Sequence, residues 1–205
     1  MSVWTETQDA FAACIDPSTR RIDAFKFVAA CRDIARIYDA LFMGMVASQL
    51  KGDILNSSAT VEKASVKYKT YSLQDLIAQE LKIHGRPVIR SDKASGTVGM
   101  LWAKRAVTFI VSYLDLLATR DDLTAPKCAQ LTYETVLMKY HGWFTSKAIS
   151  AVMNLAPSKD DIFKKLGLTS DPKKAIGEFV AVLNPVIGEI QRILDENECD
   201  FPDKV

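Results

Sequence analysis

The carboxylate of Asp53 is a candidate for ligand recognition, because the polar residues that follow it are spaced to share its surface. Asn56, Ser57 and Thr60 lie three, four and seven positions after Asp53, so in a helix they fall on roughly the same face. A carboxylate beside amide and hydroxyl groups can bind a hydroxyl-rich ligand. The simpler alternative is an acidic residue that the helix dipole favours near the N-terminal end of a helix.

A second candidate is His141, in the aromatic segment Tyr140-His141-Gly142-Trp143. An imidazole can donate a hydrogen bond to a ligand, and Gly142 inside a helical pattern indicates close approach of a ligand or of another helix. The alternative is a satisfied core residue, which is the more frequent role of a lone histidine in a helix. Trp143 falls on a different side of the predicted helix, where it can contact a membrane interface or pack against a neighbouring helix.

Trp102 precedes two cations, Lys104 and Arg105, in an otherwise apolar segment. The flat indole ring can stack on the apolar face of a sugar, and a nearby cation can donate hydrogen bonds. Arg105 is about one helical turn from Trp102 and is therefore the nearer of the two cations. The alternative is a core tryptophan whose charged neighbours form a solvated edge.

The composition is that of an ordinary globular chain and argues against several classes of protein. The 205 residues carry 26 Lys and Arg against 25 Asp and Glu, so a net charge of +1 gives no basic excess for binding nucleic acid. No apolar run approaches the roughly 20 residues of a membrane-spanning helix, and the first ten residues lack the basic start of a signal peptide. Four cysteines without CxxC spacing favour free thiols, and we expect a cytoplasmic protein.

The sequence also lacks the motifs of common enzymes. It contains no glycine-rich phosphate loop and no GxSxG, and its two histidines lie far apart. We therefore expect no catalysis, no metal and no cofactor. An acid/base pair of Asp and His is the catalytic alternative, although no nucleophile or oxyanion hole accompanies it.

The hydrophobic pattern predicts the helices that must position these groups. Apolar residues recur every three or four positions, and no alternating strand of useful length is present. We expect about eight helices in an all-α, two-layer sandwich that forms a single domain over residues 1–205, with looser order over 1–20. A dense apolar segment over about 98–118 predicts a central helix.

Local signals predict where other elements begin and end. Ser72, Ser158 and Asp171 are predicted N-caps, and a loop is expected over 85–97. An apolar stripe predicts one long helix that contains His141 and ends at Pro157. The stripe consists of Leu137, Tyr140, Phe144, Ala148, Ala151 and Leu155.

In chain order, four short segments together resemble the glycolipid transfer protein family. They are Lys51-Gly52-Asp53-Ile54, then Met100-Leu101-Trp102-Ala103-Lys104-Arg105, then Tyr140-His141-Gly142-Trp143, and finally Ala156-Pro157. Each segment alone is a weak signal, but their order and spacing make a strong one. The resemblance covers about residues 25–165.

The resemblance implies an all-α sandwich without disulfides that carries a sphingolipid between membranes. By position, Asp53 would bind the amide and sugar hydroxyls, and Trp102 would lie under the first sugar. His141 would hydrogen-bond the ceramide amide carbonyl, while Trp143 would dock reversibly on the bilayer. The implied partners are a glycosphingolipid or ceramide-type lipid and a membrane surface, with the protein as a monomer.

The sequence departs from the family pattern at two positions that follow Asp53. Glycolipid-binding members have Asn and Lys four and seven residues after the Asp, where this chain has Ser57 and Thr60. The family branch that binds ceramide-1-phosphate has Arg at the position of Trp102 and again one turn later, where this chain has Ala106. We therefore expect a neutral glycosylceramide, with a ceramide-1-phosphate carrier or a lipid sensor using the same pocket as alternatives.

Overall fold

The computed structural model describes residues 2–204, except for the side chains of Met45, Val46 and Phe144, so the prediction for Phe144 lies outside the described side chains. This part of the chain forms eleven α-helices and one short 3₁₀ helix, Met138–Tyr140, between α8 and α9. In chain order the α-helices are α1 (Val3–Cys14), α2 (Ala24–Ala35), α3 (Tyr38–Leu41), α4 (Gly44–Tyr68), α5 (Leu73–His84), α6 (Arg86–Ser91), α7 (Gly96–Thr119), α8 (Ala125–Val136), α9 (Trp143–Met153), α10 (Lys159–Lys165) and α11 (Pro172–Glu196). The predicted all-α class is confirmed, and the extra helices are short ones.

Helix α7 is the centre of the molecule. It packs against α4 and α11, and also against α5 and α8, while α2 packs between α1 and α4. Phe109, Ile110, Tyr113 and Leu114 are all fully buried, so α7 is apolar on more than one face, as the dense apolar segment predicts. None of the helices formed by residues 2–204 is long and apolar enough to cross a membrane.

The predicted N-caps are present at the starts of three helices. The Ser72 hydroxyl accepts a hydrogen bond from the Asp75 N–H at 3.1 Å, and Ser158 does the same for the Asp161 N–H at 3.2 Å. The Asp171 carboxylate accepts one from the Lys174 N–H at 3.1 Å. Each cap satisfies a backbone donor that the first turn of the helix would leave without a partner.

Helices α4 and α7 approach so closely that the contact requires glycine. A Cβ on Gly96 would lie 2.6 Å from the Cβ of Ala64, and a Cβ on Gly99 would lie 2.7 Å from the carbonyl oxygen of Ser57. Both distances are shorter than real side-chain contacts, so any larger residue would push the helices apart. This approach brings the polar face of α4 next to the face of α7 that carries Trp102.

The prediction of one long helix over Leu137–Leu155 is wrong. Helix α8 ends at Val136, and His141 has an extended backbone with φ −106° and ψ 143°. Gly142 is the residue that precedes α9 rather than an interior glycine. Successive side chains of a helix point about 100° apart, whereas Tyr140 and His141 both contact Trp102, and the break in the helix allows this.

One other segment differs from its prediction, because the expected loop over 85–97 contains α6. Residues 1–20, for which looser order is expected, include α1, whose Trp4 ring stacks on Phe179 at a centroid distance of 4.3 Å. The four cysteines are free and buried.

Candidate functional site

A cavity of about 540 Å³ lies between α4, α7 and α9, within the range of small-molecule sites. One part of its wall is polar and carries Gln49, Asp53, Asn56, Ser57, Thr60, Lys93, His141 and Thr145. The remaining wall is largely apolar and aromatic, with Tyr38, Leu50, Val98, Gly99, Trp102, Ala106, Leu137, Ala148, Ile149 and Met153. A cavity whose lining combines several polar side chains with a larger apolar and aromatic surface suits an amphipathic ligand.

Asp53 is positioned by α4 as an acceptor at this cavity. Its carboxylate accepts a hydrogen bond from the Gln49 side-chain amide at 3.0 Å, one turn earlier in the helix. Partial burial raises the pKa of Asp53, and the hydrogen bond from Gln49 opposes that shift. Burial also raises the pKa of Tyr38, and the negative charge of Asp53 adds to the effect. No described cation forms an ion pair with Asp53, so its acceptor capacity is available to a ligand.

His141 is held as a neutral ring beside the indole of Trp102. The two rings are parallel within 3° at a centroid distance of 6.2 Å. Burial lowers the pKa of His141, and the positive charge of Arg105 lowers it further. Nδ1 lies 2.9 Å from the hydroxyl of Tyr133, so if Tyr133 donates this bond, Nε2 carries the proton and can donate to a carbonyl oxygen.

The polar residues that follow Asp53 line the cavity, but part of their capacity is used within α4. The Thr60 hydroxyl donates to the Asn56 carbonyl at 2.9 Å, and the Ser57 carbonyl faces Gly99 of α7. Asn56 is exposed and keeps its side-chain amide at the opening. The short side chains of Ser57 and Thr60 therefore fit the close contact between α4 and α7.

Lys93 lines the cavity from the connection between α6 and α7, and the sequence reasoning missed it. Among the described residues it is the one lysine or arginine in the lining. Lys93 lies outside the helices that carry Asp53 and Trp102, so helical spacing cannot predict that it lies near them. Only the path of the chain between α6 and α7 in the folded protein brings Lys93 to the cavity.

The structure corrects the expected position of Arg105. Its guanidinium carbon lies 4.9 Å from the Trp102 ring centroid, as helical spacing predicts, but the side chain is 2% exposed and is absent from the described cavity lining. The guanidinium donates to Asp200 at 3.0 Å and to the Phe201 carbonyl at 2.6 Å. The segment after α11 covers this side of α7, which a single helix pattern could not reveal.

Trp143 begins α9 and does not belong to the cavity wall among the described residues. Its side chain is 66% exposed, and the ammonium of Lys147 lies 4.1 Å from its ring centroid. Leu155 is 63% exposed just beyond the end of the same helix. Each end of α9 therefore exposes a large aromatic or apolar side chain, and Trp143 has an adjacent cation.

The arrangement offers binding groups rather than a metal centre. Over residues 2–204, no group of three or more His, Cys, Asp or Glu side chains is placed to hold a metal ion. Asp53 can accept hydrogen bonds, His141 can donate one, and Trp102 presents a flat apolar surface beside them.

Comparison with known sequences identifies relatives over most of the chain. The family model described as "Glycolipid transfer protein (GLTP)" matches residues 22–168. The glycolipid transfer protein of Xenopus tropicalis is 31% identical over 160 residues, which cover 73% of each chain. Glycolipid transfer protein 1 of Arabidopsis thaliana is 25% identical over 170 residues, covering 82% of this chain and 81% of the relative.

Solved structures show the same fold. The human ceramide-1-phosphate transfer protein in complex with 12:0 ceramide-1-phosphate aligns with a TM-score of 0.86 and 18% identity, covering 98% of each chain. The fungal glycolipid transfer protein HET-C2 aligns with a TM-score of 0.79 and 23% identity, covering 97% of this chain and 100% of that one. The sequence matches and the shared fold together show that this chain belongs to the glycolipid transfer protein family.

Proposed function

We propose that this protein binds a sphingolipid in the cavity between α4, α7 and α9 and carries it between membranes. The observation that carries the proposal is that Asp53, Trp102 and His141 line one cavity whose remaining wall is largely apolar. The segments that carry the same three residues are those whose order and spacing resemble the family motifs. We further propose that the protein works in the cytoplasm, which is consistent with four free, buried cysteines.

The amide of a ceramide has one donor and one acceptor, and both need partners when the amide lies next to hydrocarbon. In this proposal, Asp53 accepts the hydrogen bond of the amide N–H. His141, whose pKa is lowered by burial, donates from a neutral ring to the amide carbonyl. Neither residue has a catalytic role, and the transfer requires no cofactor.

For the headgroup, we propose that a neutral sugar is preferred to phosphate. Trp102 offers an indole surface of the kind that stacks on sugar rings. A phosphate is best bound by a bidentate guanidinium, yet Arg105 is occupied by Asp200 and Phe201 away from the described lining. Lys93 would supply a single ammonium, which gives a phosphate less than an arginine pair would.

Competition between glucosylceramide and ceramide-1-phosphate in a fluorescence transfer assay tests this proposal. Wild type should prefer glucosylceramide, and Trp102→Ala should lose most of that preference, whereas Trp102→Arg should shift it towards the phosphate. Trp4→Phe is the matched control, because Trp4 is buried against Phe179 away from the cavity lining.

Three results would count against parts of the proposal. A wild-type preference for ceramide-1-phosphate would reverse the headgroup assignment, and intact glycolipid binding by Trp102→Ala would make Trp102 a packing residue. Tight binding with negligible transfer would identify a lipid sensor that uses the same cavity.

A further inference from the structure

The guanidinium of Arg105 connects Trp102 to the chain segment that follows α11. Its carbon atom lies 3.4 Å from the ring centroid of Tyr140 and 4.9 Å from that of Trp102. The same group donates to the Asp200 carboxylate and to the Phe201 carbonyl. Arg105 therefore has aromatic rings on one side and the segment after α11 on the other.

Burying Arg105 is costly, so its presence calls for a reason beyond filling space. The side chain is 2% exposed, and its Nε is buried without a hydrogen-bond partner in the described part of the chain. A buried donor without a partner destabilises a protein, and an apolar side chain would fill the same space without that loss. Unlike an apolar residue, an arginine can contact the rings of Trp102 and Tyr140 through its cation and can also be fixed in position by its own hydrogen bonds.

Asp200 is itself held in place. Gln191 donates to its carboxylate at 3.0 Å, and Lys104 donates to the side-chain oxygen of Gln191. Burial pushes the pKa of Asp200 upwards, but the hydrogen bond from Gln191 and the charges of Lys104 and Arg105 outweigh burial and lower it overall. Asp200 is therefore ionised at neutral pH and gives Arg105 a fixed anionic partner.

We propose that Asp200, acting through Arg105, is a positioning residue that fixes the orientation of the Trp102 indole for headgroup binding. This proposal rests on the proposed function, because it gives Asp200 a part in the same headgroup site. Asp200 does not contact the lipid. It sets the position of Arg105, and Arg105 holds the indole and the Tyr140 ring in the orientation that the cavity presents.

Asp203 provides a matched control for Asp200. It lies in the same segment and forms a two-bond ion pair with Arg90 at 2.8 Å for both contacts, with both side chains half exposed. Replacing either residue by alanine removes one carboxylate and breaks one ion pair with an arginine in this segment. Asp203 feels the charge of Arg105 only at longer range, whereas Asp200 accepts a hydrogen bond from it, so the change at Asp200 should disturb the group beside Trp102 far more.

The experiment measures the affinities of Asp200→Ala, Asp203→Ala and wild type for glucosylceramide and for ceramide, which lacks a sugar. Asp200→Ala should weaken glucosylceramide binding by roughly threefold to tenfold and leave ceramide binding nearly unchanged. Asp203→Ala should leave both affinities near those of wild type. Thermal unfolding of each variant confirms that the compared proteins are folded.

A double-mutant cycle separates positioning from general support of the fold. In a Trp102→Ala background, Asp200→Ala should cause no further loss of glucosylceramide binding, because the group that it positions is gone. An equal loss in both backgrounds, or an equal loss for ceramide and glucosylceramide, would overturn the positioning role. If wild type binds neither lipid, the proposed function itself fails, and this outcome is distinct from a failure of Asp200 alone.

Discussion

At the scale of single residues, the site contrasts two charged groups with opposite surroundings. Asp53 accepts a hydrogen bond from a neutral donor, the Gln49 side-chain amide, whereas Arg105 donates to a carboxylate and a carbonyl. A charge left without a counter-ion is available to a ligand, and one already paired contributes to structure. This difference separates the ligand-binding candidate from the positioning candidate more clearly than distance from the cavity does.

We expect Asp53→Val and His141→Leu each to weaken sphingolipid binding. Each change leaves one half of the ligand amide without a partner, at a cost of about 1–3 kcal/mol, or about 5- to 150-fold in Kd. Affinities from fluorescence titration with glucosylceramide measure the effect. Asp39→Asn is the control, because Asp39 pairs with Lys51 at 2.5 Å on the exposed surface near α4. Binding at wild-type strength by both folded variants would rule out the amide assignment.

The raised pKa of Asp53 predicts that this carboxylate, which we propose binds the ligand, destabilises the ligand-free protein. Because the folded-state pKa lies above the unfolded value of about 3.9, the unfolded chain loses this proton first, and Asp53 becomes a destabilising charge as the pH rises through that window. Asp53→Asn should therefore raise the melting temperature of the ligand-free protein at pH 7. The gain should shrink as the pH falls and be nearly absent at about pH 3, where Asp53 is largely protonated in both states. A lower melting temperature for Asp53→Asn at pH 7 would contradict the role of burial.

The lowered pKa of His141 has the opposite pH dependence. The unfolded chain takes up a proton near the ordinary value of about 6.5, while the folded protein keeps the ring neutral to lower pH. This contribution to stability is fully present above about pH 6.5 and is lost as the pH falls towards the folded-state pKa. The pH dependence of the free energy of unfolding should therefore be shallower for His141→Leu than for wild type between pH 6.5 and pH 5.

At the scale of elements, local capping signals correctly predicted three helix starts, whereas one long apolar stripe wrongly predicted a continuous helix. The caps at Ser72, Ser158 and Asp171 depend on bonds within one turn, which the sequence specifies directly. The stripe over 137–155 has a helical period, but the helix is interrupted at the residues that contact Trp102, Tyr140 and His141. Those contacts come from α7, so no pattern within the segment itself could show them.

The close contact between α4 and α7 predicts that alanine is unfavourable at Gly99, and an open glycine elsewhere, Gly177, provides the comparison. Gly99→Ala should destabilise the protein by about 1–3 kcal/mol, because the new Cβ would lie 2.7 Å from the Ser57 carbonyl oxygen. Gly177→Ala in α11 should instead stabilise it by about 0.4–1 kcal/mol, since that position is open and alanine favours the helix. Urea unfolding of both variants gives the comparison.

The same two glycine variants also differ in the lipid binding that we expect. Gly99→Ala should also weaken lipid binding, because separating α4 from α7 moves Asp53 relative to Trp102, while Gly177→Ala should bind as wild type does. Equal stability of the two variants would mean that α4 and α7 can separate at little cost.

At the scale of the whole molecule, the candidate residues come from two kinds of segment, long helices and the segments outside them. Asp53 lies on α4 and Trp102 lies on α7. These two long helices are in close contact, and the fold therefore brings the two side chains to the same cavity. Lys93 and Asp200 lie in connecting segments, and their places depend on how those segments lie across the assembled helices. The sequence motifs predicted Asp53, Trp102 and His141, although His141 lies between helices. They missed Lys93 and Asp200, because only the completed fold brings these two residues to the cavity or to α7.

Reversible membrane contact through Trp143 is the remaining prediction at this scale. Trp143 and Leu155 are 66% and 63% exposed at either end of α9, which also contributes to the cavity wall. With a net charge of +1, the protein has little long-range attraction to anionic lipid, so docking should depend on inserted apolar and aromatic groups. Trp143→Ala should therefore slow transfer between vesicles and change equilibrium binding of micellar lipid much less.

Salt separates this docking mechanism from an electrostatic one. If apolar insertion dominates, raising the salt concentration from about 0.05 M to about 0.5 M should change the wild-type transfer rate only slightly, because screening weakens charge attraction and leaves apolar burial intact. Lys147→Ala serves as a companion variant, since its ammonium lies 4.1 Å from the Trp143 ring and provides the local cation. A steep loss of transfer with salt, together with normal transfer by Trp143→Ala, would assign docking to lysine and arginine side chains instead.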